Sequence, residues 1–349
     1  MGRWTAPSTD MLDADRVTDV LLVGGGVASA RCARTLRRNG FAGSILLVGD
    51  EERVPYNRPP LSKELLREDL PDELLAAEPP AWYERREIQV ELGTRVRGLD
   101  PDAGHATLEG GETVRFDRLL LATGAEVRRL PVPGADTSLT LRTADDARRL
   151  RAAAMAASEG APVVIVGGGF IGLEVASSLA SLGLRPTVIE RAGRLWAGTL
   201  GTELAAWATK RLGDAGVELR LGTTITRTGE GAAWIGDERL PAAFVVIGVG
   251  VSPRIELGQA AGLRIDDGIV VDAVQHVQLG DADPGQPVDL HRALQRGGVE
   301  PAAAARPAGD GAELPAHLAQ ALAVRARRLG GEGSVPHPRG VCLHHAEHP

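Results

Sequence analysis

The chain has 349 residues, too many for one ordinary hydrophobic core, so two or three domains are expected. Its 43% hydrophobic and 24% charged residues are the balance of a soluble globular protein. A net charge of -7 argues against a nucleic-acid binder that works by counterion release, and 3% aromatic content argues against a stacking platform for single strands.

Residues 1–16 are polar, with no apolar stretch that could serve as a signal peptide. No run of ~18 uninterrupted apolar residues occurs, so no membrane span is expected and a cytoplasmic location follows. "VTDVLLVGGG" from Val17 is an unbroken apolar run stopped by glycines, which predicts a strand of a parallel sheet covered on both faces. "VASARCARTLRRNG" predicts a helix with small residues toward that sheet, arginines outside and a close on Gly40. Cys32 falls on the packed side, where a buried, inert thiol is expected. With only Cys32 and Cys342, and no CxxC, neither a disulfide scaffold nor a dithiol centre is available. "GSILLVGDEE" completes a βαβ unit with the usual right-handed crossover.

In "YNRPPLSKELL" the prolines predict an extended loop, and Ser62 is placed to cap a short helix beginning "KELL". Residues 88–121 alternate as strands do, with turn glycines, and end in "FDRLLLATGAEVRRLPVPG". "LRTADDARRLRAAAMAA" predicts a helix capped by Thr143. A second βαβ unit starts at Pro162: strand 163–166, a turn over Gly167–Gly172, a helix to about 182 and the strand "RPTVIER". A helix in "GTELAAWATKRLGDAG", a strand in "VELRLGTTI" and short strands to "AAFVVIGVGVSPRIEL" follow, and "GIVVDA" at 268–273 is the last segment with a readable pattern. From 274 to 349 there is no Phe, Trp, Tyr, Ile, Lys or Met, a composition that buries too little area to offset ordering entropy easily. One helix is plausible around "ELPAHLAQALAVRARRL". The stretch holds His276, His291, His317, His337, His344, His345 and His348. "HHAEH" at 344–348 has chelating spacing but no structural frame, so no metal site is assigned.

Chemistry enters with the two glycine turns. Such a turn lets the backbone approach a pyrophosphate and aims a helix N-terminus at its charge. The second turn is complete in Gly167, Gly169 and Gly172; the first has Gly24 and Gly26, with Ser29 at the third place. Glu190 lies 23 residues after Gly167, the spacing that puts a carboxylate on the adenosine ribose hydroxyls. Against a 2′-phosphate it would be repelled by roughly 1 kcal/mol at ~4 Å in water-like screening and by ~4 kcal/mol at a protein-surface dielectric. NADH is therefore expected over NADPH, although Arg191 and Arg194 are cations that could reach a phosphate. In the first unit the acid is displaced by one place, to Asp50, with Glu51 beside it. The alternative for each acid is a solvated loop carboxylate. Two cradles suggest two dinucleotides, FAD on the first and NADH on the second, with the hydride chemistry belonging to the cofactors.

"LLVGGGVASARCARTLRRNGFAGSILLVGDE", "YNRPPLSKELL", "LLLATGAEVRRLPVPG", "VVIVGGGFIGLEVASSLASLG", "TVIERAGRLWAGTLGTELA" and "VVIGVGVSPRIELGQAAGLRIDDGIVVDA" together resemble the FAD-dependent pyridine nucleotide-disulfide oxidoreductases. Within them the chain is most similar to the ferredoxin and rubredoxin reductases that serve oxygenases and cytochromes P450. "RPPLSKELL" and "IGLE" are the most specific stretches, and the resemblance covers about 17–273. It implies an α/β fold of two doubly wound Rossmann-like domains: an FAD domain over 17–140 that resumes at 249–273, and an inserted NAD domain over 141–248. Residues 274–349 then form an atypical C-terminal segment, a candidate for disorder.

The resemblance also implies roles. Lys63 and Glu174 would approach the flavin N5 edge, where hydride arrives, with Arg58 along the same loop. A cation there stabilises a reduced, anionic ring, and the carboxylate positions it. The alternatives are a solvated lysine at a helix start and an exposed helix carboxylate. Thr123, Gly124 and Ala125 match the "ATG" turn and would touch FAD through their backbone; Gly248 and Gly250 are counted with the cofactor-binding positions. Electrons would pass from NADH through FAD to a ferredoxin or rubredoxin-type iron–sulfur protein. Arg34, Arg37 and Arg38, or Arg148, Arg149 and Arg151, would steer that acidic partner, unless they are simply solvated helix faces. The family's Ala-Gly-Asp turn and following interface domain find no match after Ala273; "LGD" at 279–281 and "AGD" at 308–310 have the letters without a preceding strand. A frameshifted or misassembled reading of a GC-rich gene, a genuine fused segment, and a diverged family end remain as accounts, the first favoured. A catalytically impaired nucleotide-binding protein and an NADH oxidase or diaphorase remain as alternative functions. No nucleic-acid or membrane partner is expected, and the oligomeric state is not set.

Overall fold

The computed structural model describes residues 16–68, 70–229, 231–272 and 276–277. Cys342, the six histidines after His276, the "LGD", "AGD" and "HHAEH" stretches and the helix expected in "ELPAHLAQALAVRARRL" lie outside them.

In chain order the elements are β1 (Arg16–Val23), α1 (Val27–Arg38), β2 (Ile45–Val48), a 3-10 turn (Pro59–Ser62), α2 (Glu64–Arg67), α3 (Asp72–Leu75), α4 (Pro80–Arg85), β3 (Ile88–Glu91), β4 (Val96–Asp100), β5 (His105–Leu108), β6 (Thr113–Leu121) and β7 (Ala125–Val127). They continue with α5 (Ala144–Ala156), β8 (Pro162–Val166), α6 (Phe170–Ser181), β9 (Arg185–Glu190), α7 (Thr202–Asp214), β10 (Glu218–Leu221), β11 (Arg227–Gly229), β12 (Ala232–Ile235), β13 (Glu238–Pro241), β14 (Val245–Ile247), β15 (Val251–Pro253) and α8 (Glu256–Ala260).

The chain divides into two compact units. One runs to Tyr56, takes in Ala77–Gly124 and resumes at Pro253; the other comprises Asn57–Ala76 and Ala125–Ser252. Residues 57–76 join the second unit because Leu65 and Leu66 are fully buried and Ser62 bonds to α6. Residues 125–140 join it because Leu139 bridges to Val246, and because Gly134 packs so closely on Thr228 that a Cβ would lie 1.9 Å from its carbonyl oxygen.

The first unit is built on a six-stranded sheet in the order β3-β2-β1-β6-β5-β4. β3, β2, β1 and β6 are parallel, and β5 and β4 extend the sheet antiparallel. The unbroken apolar run of β1 is explained by its two buried faces. Leu21 and Val23 enter one core with Leu46, Val48, Leu119 and Leu121, while Val20 and Leu22 enter another with Ile45, Leu47, Cys32 and Ala33. "GIVVDA" contributes Ile269 and Val271 to the first of these cores through isolated bridges rather than a strand.

The second unit holds a parallel sheet in the order β10-β9-β8-β14, an antiparallel meander β11-β12-β13 and the ribbon β7-β15. Both βαβ crossovers form where expected, β1-α1-β2 and β8-α6-β9. Thr143 caps α5: its hydroxyl accepts from Asp146 N, and the Asp146 carboxylate accepts from Thr143 N. Among the described residues no helix is long and apolar enough to cross a membrane.

Candidate dinucleotide cradles and a lysine–glutamate pair

In the first unit Gly24 has φ +117°, and a Cβ there would lie 2.1 Å from the Ala122 carbonyl oxygen, so only glycine fits. Gly26 is the N-cap of α1; nothing lies within 4 Å of where its Cβ would be, no side chain caps the helix, and its first turn has no acid. An uncapped helix start facing open space is a ready anion site. Ser29 is fully buried on α1, and its hydroxyl has no hydrogen-bond partner among the described residues.

The second unit repeats the device with tighter packing. Gly167 has φ +111°, and a Cβ would lie 2.3 Å from Gly248 O. Gly169 is the N-cap of α6, again with open space, no side-chain cap and no acid in the first turn. A Cβ on Gly172 would lie 2.0 Å from Gly167 O, whereas the corresponding place in the first turn is taken by the fully buried Ser29. Both cradles therefore fit a diphosphate, with close-contact glycines shaping the turn and vacant Cβ space at the helix start.

The acids differ as the spacing predicted. Val23 pairs with Val48 and Val166 with Ile189, so the next position along is Gly49, just past β2, in one unit and Glu190, the last residue of β9, in the other. Glu190 Oε2 accepts from Gly168 N at 2.7 Å and Oε1 from Ala192 N at 2.7 Å, which ties the strand end to the glycine turn. Gly49 instead lies against Gly25; a Cβ would be 2.8 Å from the Gly25 Cα. Asp50, one place on, pairs with Arg254 at 2.9 Å and Arg95 at 3.2 Å, and Glu51 accepts from the Tyr56 hydroxyl at 2.6 Å.

Arg254 was not singled out by the sequence reading. Besides holding Asp50 it donates its backbone N–H to Gly124 O at 3.0 Å, and its carbonyl accepts from the Thr123 hydroxyl at 2.8 Å. Gly124 has φ +71°. The first unit thus gathers Asp50, Thr123, Gly124 and Arg254 into one network where the chain returns. In the second unit Ala125 O accepts from Arg142 Nε at 3.1 Å, and Arg58 donates to Arg142 O. Gly248 N donates to Val166 O at 2.8 Å, and Gly250, at φ +101°, accepts from Arg128 N at 3.0 Å.

Of the two cations beside Glu190, Arg191 is exposed. Arg194 spends its guanidinium on the carbonyls of Leu195, Trp196, Ala197 and Leu200, at 2.8–3.4 Å, and so shapes its own loop. That loop stacks Trp196 on Phe170, the first residue of α6, with centroids 5.1 Å apart.

Lys63 and Glu174, 111 residues apart in sequence, meet in the second unit with Nζ 2.7 Å from Oε1. Ser62 does not cap α2. The N-cap is Lys63 without a side-chain bond, and the Ser62 hydroxyl donates to Glu174 Oε2 at 2.5 Å. The backbone of Lys63, at φ -120° and ψ -97°, turns too sharply out of the preceding 3-10 turn for a serine cap. Cys32 is buried as expected, and burial pushes its thiol up to about 11.

The proposed basic faces are largely engaged. Arg34 pairs with Glu78 at 2.7 Å, and Arg37 donates to four carbonyls at 2.7–2.9 Å. Arg148 pairs with Asp72, Arg149 with Asp146, and Arg151 donates to the carbonyls of Leu66 and Arg67.

Residues 18–281 match the family model described as pyridine nucleotide-disulphide oxidoreductase. The match runs past Ala273 to Asp281, eight residues beyond where the motifs stop being legible. The chain is 40% identical over 261 residues to rhodocoxin reductase of Rhodococcus erythropolis, covering 72% of this chain and 60% of that one. It is 35% identical over 339 residues to the ferredoxin reductase component of chlorobenzene dioxygenase from Cupriavidus sp. (strain PS12), covering 91% and 76%. Among solved structures it is similar to the covalent putidaredoxin reductase–putidaredoxin complex, at 33% identity and a TM-score of 0.71 over 76% of this chain and 66% of that one. Rhodocoxin reductase and the anthranilate and p-cumate dioxygenase reductase components are matched over 60–64% of their own length, less than two thirds. The fold, two Rossmann-type α/β units with the second interrupting the first, and the family match agree: the chain belongs to the pyridine nucleotide-disulphide oxidoreductase family.

Proposed function

We propose that the chain is an NADH-dependent flavoprotein reductase that passes electrons from NADH through FAD to a ferredoxin or rubredoxin-type iron–sulfur protein. The observation that carries this reading is the repeated cradle: two parallel strands, each ending in a glycine turn that leads into an uncapped helix. The relatives include ferredoxin–NAD(+) and rubredoxin–NAD(+) reductases, which supports the carrier and the nucleotide.

On this reading Gly24, Gly26 and Ser29, with the N-terminus of α1, hold the diphosphate of FAD, and Asp50 or Glu51 meets its ribose. Thr123 and Gly124 complete the cofactor contacts of the first unit, and Arg58, Ala125 and Gly250 are the further cofactor-binding positions of the second. Gly167, Gly169 and Gly172, backed by Gly248, hold the diphosphate of NADH. Glu190 keeps a second lone pair on each oxygen for the ribose hydroxyls, since each so far accepts one amide. A 2′-phosphate would face that carboxylate with Arg194 already committed, so NADPH is the poorer donor. When bound, FAD would take two electrons together as hydride and release them one at a time. Lys63, held by Glu174, supplies positive charge where negative charge develops. The FAD role falls to the first unit, the NAD role to the second, and the working compartment to the cytoplasm.

The test is spectroscopic. The purified full chain should show oxidised-flavin absorbance that bleaches anaerobically with NADH and returns on adding an oxidised ferredoxin. A colourless protein that binds NADH would instead be a nucleotide-binding protein without the redox function. Bleaching that only oxygen or dyes reverse would make it an oxidase or diaphorase.

A further inference from the structure

We propose that Ser62 is a positioning residue whose hydroxyl locks the Glu174 carboxylate so that Oε1 is presented to the Lys63 ammonium. This rests on the role given to Lys63 and Glu174 above, but its first test needs no cofactor. The carboxylate is held at both ends, with Oε1 on Lys63 Nζ at 2.7 Å and Oε2 on Ser62 Oγ at 2.5 Å. A hydroxyl-to-carboxylate bond of that length belongs to the short, charge-assisted class. Ser62 is itself immobile. It is 4% exposed, it ends a 3-10 turn that opens with Pro59 and Pro60, and its carbonyl accepts from the buried Ser178 hydroxyl at 2.7 Å. Glu174 and Lys63 are by contrast about one third exposed, at 35% and 38%. An exposed pair of long side chains holds its geometry poorly, because water and rotamer freedom compete with the contact. The buried serine supplies the anchor that the pair lacks.

The composition makes the test clean. Of 39 Lys and Arg residues, only Lys63 and Lys210 are lysines, and Lys210 is 76% exposed on α7. Reductive methylation with ¹³C-formaldehyde labels both, along with the terminal amine, and leaves each a cation able to donate. Lys210→Arg assigns the signals, and Glu174→Gln marks where the Lys63 signal falls when its partner is weakened. Ser62→Ala should move the Lys63 signal at least halfway to that position, Ser62→Thr should restore it, and Ser62→Ala should add nothing in a Glu174→Gln background. A Lys63 signal unmoved by Ser62→Ala, or moved equally with and without Glu174, overturns the proposal. In the flavin-loaded protein, Ser62→Ala should slow bleaching by NADH about tenfold, the size of one lost hydrogen bond to a charged group, with less than about a twofold change in KM. If the wild type does not bleach at all, the reductase reading fails while the lysine signals still decide the role of Ser62.

Discussion

Two glycines of the second turn serve different ends, and alanine separates them. At Gly172 a methyl group would sit 2.0 Å from a backbone oxygen that cannot move without disturbing Gly167. Gly172→Ala should cost about 1–3 kcal/mol of stability, as overpacking does, read as a shift in the denaturation midpoint. At Gly169 the methyl would meet nothing, and φ is an ordinary -76°. Gly169→Ala should stay within about 0.5 kcal/mol of wild type and, on the proposed function, weaken NADH binding in calorimetric titration, because the methyl would enter the space proposed for the diphosphate. Cys32 offers a pH test. Burial lifts its thiol from 9.0 to about 11, so at pH 8 its thiolate fraction is about 100-fold lower folded than unfolded. Iodoacetamide should label Cys32 at pH 8 only on unfolding, as mapped by peptide mass. The neutral thiol's contribution to stability is whole below pH 9 and is lost as pH rises toward 11. These two glycines were legible because each depends on neighbours a few residues away, and the thiol because Cys32 lies on the small-residue, sheet-facing side of α1. The Ser62–Glu174 bond was not, since it joins residues 112 apart, and a serine before a helix reads more simply as a cap.

Strands and helices were legible where one element carries its own reason. β1 is apolar at every position from Val20 to Val23 because consecutive residues enter opposite cores, and Thr143 is followed by the acid that closes a capping box. Thr143→Ala should therefore cost about 1 kcal/mol and leave nucleotide affinity unchanged, since α5 loses a cap and the cradles lose nothing. Less visible was what an element's end does after folding. Glu190 could be placed by spacing, but not its second task of tying β9 to Gly168 and Ala192 through both oxygens. The same holds for Arg194, a candidate phosphate ligand in sequence and a loop brace in structure. Glu190→Gln keeps an acceptor for one amide and removes the charge. It should reduce the ratio of kcat/KM for NADH over NADPH by about tenfold, with a stability loss that Glu190→Ala, lacking both bonds, exceeds. A ratio unchanged in Glu190→Gln would shift the selectivity to Arg191 or to loop shape.

Charge is the property that belongs to the whole chain. If the partner is the acidic electron carrier of the proposed function, a charge of -7 should repel it at long range, and productive encounter then needs a local face of opposite sign. The sequence offered two, and the ion pairs distinguish them. On α5, Arg148 and Arg149 each have an acidic partner within the second unit. In the first unit, Arg34, Arg37, Arg38 and Arg86 line one hollow beside Trp82. Glu78 answers Arg34 there, but the bonds of Arg37 go to neutral carbonyls and leave its charge in place. On α5 only Arg151, which likewise bonds to carbonyls, keeps its charge unanswered, so the α1–α4 face carries the larger positive field. Arg38→Glu and Arg86→Glu, two surface changes away from either cradle, should lower kcat/KM for an acidic ferredoxin several-fold at low ionic strength. The difference should vanish near ~0.5 M salt, where screening falls well below ~10 Å, and reduction of a small neutral dye by NADH should not change. If ferredoxin reduction by the wild type instead accelerates with salt, the overall charge outweighs the local face, and docking depends on surface other than α1 and α4.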